Sequence, residues 1–350
     1  MVICVIISDK LIITDESSAN TVALQSHLEG KKYQNPVPTS MAIANMPALI
    51  WKYLTYKGKR SPLVPLGPFR VSAAALLPAA SQSLQITWLG HSSYILEMDG
   101  KRLIIDPVFA SRASPFSFMG PRRFFAAPLL PAELPPIDVV VLSHDHYDHL
   151  DRHMMHYLSK KVKQFVCPKG VEKHLLRWGI PAENIAVLDW TQSFRISDTL
   201  SLTATPARHF SGRWFHRNET LWSSYVLQGR DKKVFIGGDS GFFDGFAEIG
   251  AVYGPFDLTI LEIGAYDANW PDIHMGPEKA AQAHLALKGR VMLPVHWGTF
   301  NLAFHDWDEP AERMVQLAEE KNIILWMPAP GETGELPDGN RISYWWRAYK

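Results

Sequence analysis

Cysteine is nearly absent from this chain of 350 residues, which holds only Cys4 and Cys167. Two thiols cannot build a disulfide framework or a Cys-based structural zinc site, and both stand among apolar neighbours, the setting of buried free thiols. Net charge is lacking too: 35 Lys and Arg balance 35 Asp and Glu. The whole-chain field that draws a protein onto nucleic acid is therefore missing, and nucleic acid is not an expected partner. No stretch reaches the run of about 18 uninterrupted apolar residues that a spanning helix needs. Met1–Thr14 is apolar but broken by Asp9 and Lys10, with no basic n-region and no small-residue cleavage site, so no signal peptide is expected. A start at Met41 would account equally well for this opening. The expected location is cytoplasmic or peripheral to a membrane.

What is present is a large apolar fraction, 47% of the chain, enough for one large α/β domain plus an extension. Residues 1–80 read as the extension, because prolines at Pro36, Pro38, Pro47, Pro62, Pro65, Pro68 and Pro78 leave no room for a long periodic element. The exception is Pro47–Tyr56, a short helix with Ile50, Trp51 and Leu54 on one face and Lys57, Lys59 and Arg60 behind it. It fits either packing on the domain or lying on a membrane surface.

Residues 81–350 read as the main domain. Short β-rich runs come first: Leu84–Leu89, Tyr94–Met98, Arg102–Ile105 and Val139–Leu142, with Asp99-Gly100 as a hairpin turn. From Gln164 strands alternate with helices expected over Gly170–Trp178, Pro277–Leu287 and Pro310–Glu320. The pattern is that of a layered α/β domain.

The strongest signal follows Val139–Leu142, where Ser143-His144-Asp145-His146-Tyr147-Asp148-His149 places three imidazoles and an aspartate within six residues. On an extended loop His144 and His146 point the same way and can chelate one ion together. A helix beginning near Asp148 would turn Asp148 and His149 toward a second ion. Further ligands are expected just beyond later strand ends, where open α/β sheets place their sites: His209, Asp239 after Gly237-Gly238, and His296 before Trp297-Gly298. A carboxylate at Asp239 can bridge two ions. Chance assembly of H-x-H-x-D-H is on the order of one in a thousand, and a structural zinc would be closed and Cys-rich. His153, His156, His174, His216 and His284 have no partner at ligand spacing and are read as ordinary surface or core residues.

These residues resemble the metallo-β-lactamase superfamily over about residues 84–330. Longer stretches are similar to the N-acyl-phosphatidylethanolamine-hydrolysing phospholipase D family: Asn35-Pro36, Trp88-Leu89-Gly90-His91-Ser92-Ser93, Asp106-Pro107-Val108-Phe109, Gly120-Pro121-Arg122-Arg123-Phe124, Gly254-Pro255-Phe256-Asp257 and His296-Trp297-Gly298-Thr299-Phe300. The resemblance implies an αβ/βα sandwich with two zinc ions in the crevice. His144, His146 and His209 would hold one, Asp148, His149 and His296 the other, with Asp239 between them. It implies a phosphodiesterase acting on an N-acylated ethanolamine phospholipid. His91 is not in a ligand position of the family, and is expected beside the site. His274 matches a family histidine near the reaction centre, although Ile273 stands where the family has glutamine.

The expected mechanism is attack by a metal-bridging hydroxide, with Asp148 orienting the nucleophile, His274 protonating the leaving group or contacting substrate, and Arg213 meeting the phosphate or lying as an exposed surface residue. The same site could serve a carbonyl-ester, lactone or thioester hydrolase, a β-lactamase, or a non-catalytic metal-dependent binding protein. A di-iron redox protein would carry a carboxylate at His146. For a lipid substrate, the aromatic insertion Phe109–Leu130, with Phe116, Phe118, Met119, Phe124 and Phe125, is the expected membrane-facing segment, or else packs on the extension. A dimer is left open.

Overall fold

The computed structural model describes residues 25–40, 51–52, 55–72, 75 and 80–350, together with the backbone of two strands within residues 3–14. Two sheets dominate. The first takes β5 (Gln85–Trp88), β6 (Tyr94–Met98), β7 (Lys101–Ile105), β8 (Val139–Val141), β9 (Phe165–Pro168) and β10 (Ile185–Leu188) in that order, with β20 (Thr333–Glu335) on the outer side of β5. The second runs β1 (Ile3–Ile7), β2 (Lys10–Thr14), β11 (Gln192–Arg195), β12 (Ser201–Thr205), β15 (Ser224–Gln228), β16 (Lys233–Ile236), β17 (Phe256–Glu262), β18 (Gly289–Val295), β19 (Ile324–Met327) and β21 (Arg341–Ile342). Two small hairpins lie apart, β3 (His27–Glu29) with β4 (Lys32–Gln34) and β13 (Gly212–Arg213) with β14 (His216–Arg217). The β6–β7 turn has positive φ at both Asp99 and Gly100, the mirror-image turn that matches strand twist.

Strand periodicity sorts the core into layers. Leu103, Ile105, Val139, Val141 and Val166 face the second sheet, where they meet Leu202, Ala204, Tyr225 and Leu227 in the larger cluster. Their alternate neighbours Ile104, Val140, Leu142, Phe165 and Cys167 face outward, onto Met154, Met155 and Leu158 of α1 (Arg152–Leu158) and Leu175 of α2 (Glu172–Arg177). Because both faces are covered, these strands are unbroken apolar runs rather than alternating ones. On the second sheet, α3 (Gly245–Val252), α4 (Gly276–Ala286) and α5 (Glu309–Lys321) add Phe246, Ile249, Ala280, Ala283, Met314 and Leu317. The layers are helix, sheet, sheet, helix, the expected αβ/βα sandwich. From β7 to β10 and from β16 to β19 the strands are parallel.

One local expectation is corrected. Residues 146–149 form a turn, and the helix starts only at Arg152. Asp151 is the reason: its carboxylate accepts from the His153 and Met154 amides as an N-cap, while His149 and Leu150 remain buried on the way to it. Within the extension, which is otherwise irregular among the described residues, short strands β1 to β4 occur, and β2 pairs antiparallel with β11 at the sheet edge. Most of Pro47–Tyr56 lies outside the described residues. Of that segment Trp51, Lys52 and Thr55 are helical, Trp51 is 69% exposed, and Lys52 Nζ pairs with Asp267 at 2.5 Å.

Candidate metal centre

β7, β8, β17 and β18 each end in or lead into a buried polar residue, Asp106, Ser143, Glu262 and His296, where the ladder stops and side chains take over the hydrogen bonding. After β8, Ser143 is held by Asp106, which follows β7: Asp106 Oδ1 accepts from the Ser143 amide at 2.8 Å and Oδ2 from Ser143 Oγ at 2.5 Å. The same Oδ2 lies 2.8 Å from His149 Nδ1, and Ser143 Oγ lies 2.9 Å from His144 Nδ1. One carboxylate thus fixes the ring faces of two histidines and leaves their Nε2 atoms inward. The turn is closed by the His149 and Leu150 amides, both donating to the His146 carbonyl.

From the second sheet come His209 beyond β12, Asp239 beyond β16, Glu262 at the end of β17 and His296 beyond β18. His209 Nδ1 is 2.8 Å from the Ile273 carbonyl. Gly238 supplies the left-handed turn (φ +58°) that brings Asp239 inward. His296 itself has φ +63°, and its amide donates to the His91 carbonyl, joining the rims of the two sheets. His91 and Asp106 share this left-handed backbone (φ +53° and +40°), which side-chain residues adopt mainly where the surroundings over-determine it.

Asp239 Oδ2 lies at the centre, 3.1 Å from His296 Nε2, 3.2 Å from His149 Nε2, 3.8 Å from His209 Nε2 and 3.9 Å from His144 Nε2. His146 turns its other nitrogen inward, Nδ1 lying 2.9 Å from His144 Nε2 and 3.3 Å from His209 Nε2. Asp148 Oδ2 stands 3.5 Å from His296 Nε2 and 3.7 Å from His149 Nε2. A tetrahedral ion bonded at about 2.0–2.1 Å holds its ligand atoms roughly 3.3 Å apart, so these separations suit ligands of shared ions. His149 Nε2, His296 Nε2 and Asp239 Oδ1 are buried with no hydrogen-bond partner, a costly state that bound cations would relieve.

The electrostatics point the same way. Burial and neighbouring imidazoles hold His144 well below the ordinary histidine range, and burial with His274 and His146 does so for His209. Burial works against charge on His149 and His296 too, but Asp239 and Asp148 outweigh it and raise both. Against the penalty of burial, His149 with His296 keeps Asp239 well below the usual carboxylate range, and His149 with its neighbours does the same for Asp148. A buried carboxylate, Asp239, and a largely buried one, Asp148, thus call for positive charge at the centre.

All seven residues expected as ligands converge here. His274 stands beside them, its Nδ1 2.6 Å from Glu262 Oε2 and its ring centroid 5.0 Å from that of His209. Arg213 lies in a cleft of about 470 Å³ with Tyr147, Trp178 and Trp214. Its Nη1 donates to the Asp145 and Leu150 carbonyls, and its guanidinium lies 3.9 Å over the Tyr147 ring. His91 is buried, with Nε2 3.0 Å from Asp148 Oδ2, and its ring centroid lies 4.0 Å from that of His296, the planes tilted by 39°. Asp106 and Glu262 escape residue-by-residue reading of the sequence, and His174, expected to be an ordinary surface or core residue, finds a partner on the histidine loop. His174, 29 residues from its partner, pairs with Asp145 at 3.2 Å. Only Asp106 carried a signal, as the head of Asp106-Pro107.

The model of the β-lactamase superfamily domain matches residues 101–297. An uncharacterised protein of Mycobacterium tuberculosis is 40% identical over 95% of this chain and 91% of its own length. The N-acyl-phosphatidylethanolamine-hydrolyzing phospholipase D 1 of Caenorhabditis elegans is 34% identical over 70% of this chain and 72% of its own. Among solved structures, a metallo hydrolase of the archaeon Ignicoccus hospitalis superposes with a TM-score of 0.56 at 22% identity, covering 72% of this chain and 97% of that one.

Proposed function

The chain belongs to the metallo-β-lactamase superfamily and is a metal-dependent hydrolase, and from that premise we propose a dinuclear zinc phosphodiesterase of the N-acyl-phosphatidylethanolamine phospholipase D type. The observation that carries the dinuclear reading is the position of Asp239 Oδ2 among four inward Nε2 atoms. In this reading His144, His146 and His209 would hold one ion, Asp148, His149 and His296 the other, and Asp239 would serve both. Bound zinc would supply Lewis-acid stabilisation of developing negative charge and activation of water near neutral pH. Asp148, held by His91 on one side, orients the incoming water. His274, braced at Nδ1 by the buried Glu262, keeps Nε2 for a proton exchanged with the leaving oxygen. Arg213 braces the His144–His149 loop from the cleft wall and meets a substrate phosphate only through N–H groups that the loop carbonyls do not take.

The lipid part of the proposal rests on the cleft's aromatic rim. Phe116 packs 5.4 Å from both Phe118 and Trp214, so the 109–130 insertion and the β13–β14 hairpin meet. Phe118, Met119, Trp214 and Phe215 are exposed, Phe215 at 98%. An exposed aromatic patch at the rim of the cleft that Asp145, Tyr147 and Arg213 line suits a substrate drawn from a membrane surface. Among the described residues no helix is long and apolar enough to cross a membrane.

The test is a series of matched phosphodiesters differing only in acyl length, hydrolysed by zinc-loaded protein. We expect kcat/KM to rise with chain length and activity to vanish on chelation and return with zinc. A flat series removes the lipid and leaves the hydrolase; turnover surviving complete metal removal removes the zinc reading.

A further inference from the structure

We propose that Asn35 is a positioning residue of the metal centre: from the N-terminal extension it clamps the main chain of His209 and so aims His209 Nε2 at its ion. The proposal rests on the dinuclear reading above.

His209 lies four residues beyond the end of β12, where no strand can pair its main chain, yet it is fully buried. Buried amide and carbonyl groups need partners, and one side chain supplies both. Asn35 Oδ1 accepts from the His209 N–H at 2.8 Å, and Asn35 Nδ2 donates to the His209 carbonyl at 2.7 Å. The primary amide imitates a neighbouring strand's peptide group. An aspartate could accept but not donate, and alanine could do neither. With Nδ1 held by the Ile273 carbonyl, three of the four hydrogen-bonding groups of His209 are fixed from outside. The fourth, Nε2, is left facing His146 Nδ1 and Asp239 Oδ2 at 3.3 and 3.8 Å.

The strap that carries Asn35 is anchored to the same two loops. Arg208 Nη2 donates to the Pro38 carbonyl at 2.6 Å and pairs with Asp272 at 2.9 Å, and Asp272 Oδ2 also accepts from the Ser40 amide. Asp272 precedes Ile273, so the main-chain clamp and the ring clamp share one base. At the other end the Tyr33 amide donates to the Asn218 carbonyl. Residues 33–40 lie outside the region matched by the superfamily domain, so this chain builds part of its metal centre from sequence added before it.

The experiment uses the full chain. Wild type, Asn35→Ala and Asn35→Asp are stripped of metal, melted, and titrated with zinc against a chromophoric chelator. We expect Asn35→Ala to bind one of two ions 10- to 100-fold more weakly, the range for residues that orient a ligand, with the other ion unchanged. Asn35→Asp, which keeps one of the two hydrogen bonds, falls between and carries the comparison if Asn35→Ala does not fold. Both ions bound within twofold of wild type in the variants overturns the clamp. So does an equal loss at both sites in step with a lower melting temperature of the stripped protein, which marks a merely structural role. A wild type that binds fewer than two ions overturns the dinuclear reading and the clamp with it, a result separable from failure in the variants alone.

Discussion

Burial treats the histidines of this chain according to their company. Among the described residues no carboxylate pairs with His284 on α4; the Thr259 hydroxyl lies 2.7 Å from its Nδ1, and burial pushes its pKa down to about 4. Folded protein therefore keeps it neutral, while the unfolded chain protonates it below about 6.5. Between those values the unfolded state binds the extra proton, so this contribution to stability is complete above pH 6.5 and is lost as pH falls toward 4. The loss is on the order of 3 kcal/mol. We expect His284→Gln, which still offers Thr259 an acceptor, to flatten the decline in melting temperature over that window relative to wild type. Parallel curves for the two proteins would show that His284 does not carry the acid sensitivity.

At the scale of the element, α1 depends on one side chain. Asp151 Oδ1 accepts from the His153 and Met154 amides as the N-cap, and Oδ2 accepts from the Phe109 and Ala110 amides at the root of the 109–130 insertion. A helix of seven residues has little stability of its own, so cap and packing must hold it. Asp151→Ala removes a cap, about 1 kcal/mol, and strands two further amides, roughly 1–3 kcal/mol each. We expect a loss of about 3 kcal/mol in chemical denaturation, with faster hydrogen exchange in both α1 and residues 109–111. Exchange that quickens in α1 alone would show that the insertion is anchored elsewhere.

For the whole molecule, the centre is a seam. His144, His146, Asp148 and His149 belong to the first sheet's rim, and His209, Asp239 and His296 to the second's. Ions held there would cross-link the two halves and bind only the folded state. At a free ion concentration a thousandfold above Kd this linkage contributes about 4 kcal/mol per site. We expect chelation to lower the melting temperature by roughly 10 °C, with re-addition of zinc restoring it. A melting curve indifferent to chelator, with metal release verified by elemental analysis, would place the ions outside the folding equilibrium.

Apolar runs such as Val139–Leu142, Leu258–Ile263 and Val291–Val295, and the histidine cluster between strand and helix, were sufficient to read the layered fold and the seven converging residues, because strand period and ligand type are local properties. The insertion of a turn before α1 was not legible, since it depends on His149 reaching Asp106 and Asp239 at the centre while Leu150 packs in the outer core. Nor was the pairing of β2 with β11, an edge contact across nearly 180 residues. Most of all, the partners that hold the site's histidines, Asp106 for His149, Glu262 for His274 and Asn35 for His209, come from other segments of the chain. Their identity as carboxylate or amide was always in the sequence. Their role was decided by tertiary structure, because a buried hydrogen-bonding group takes whichever partner the packing of the two sheets brings to it.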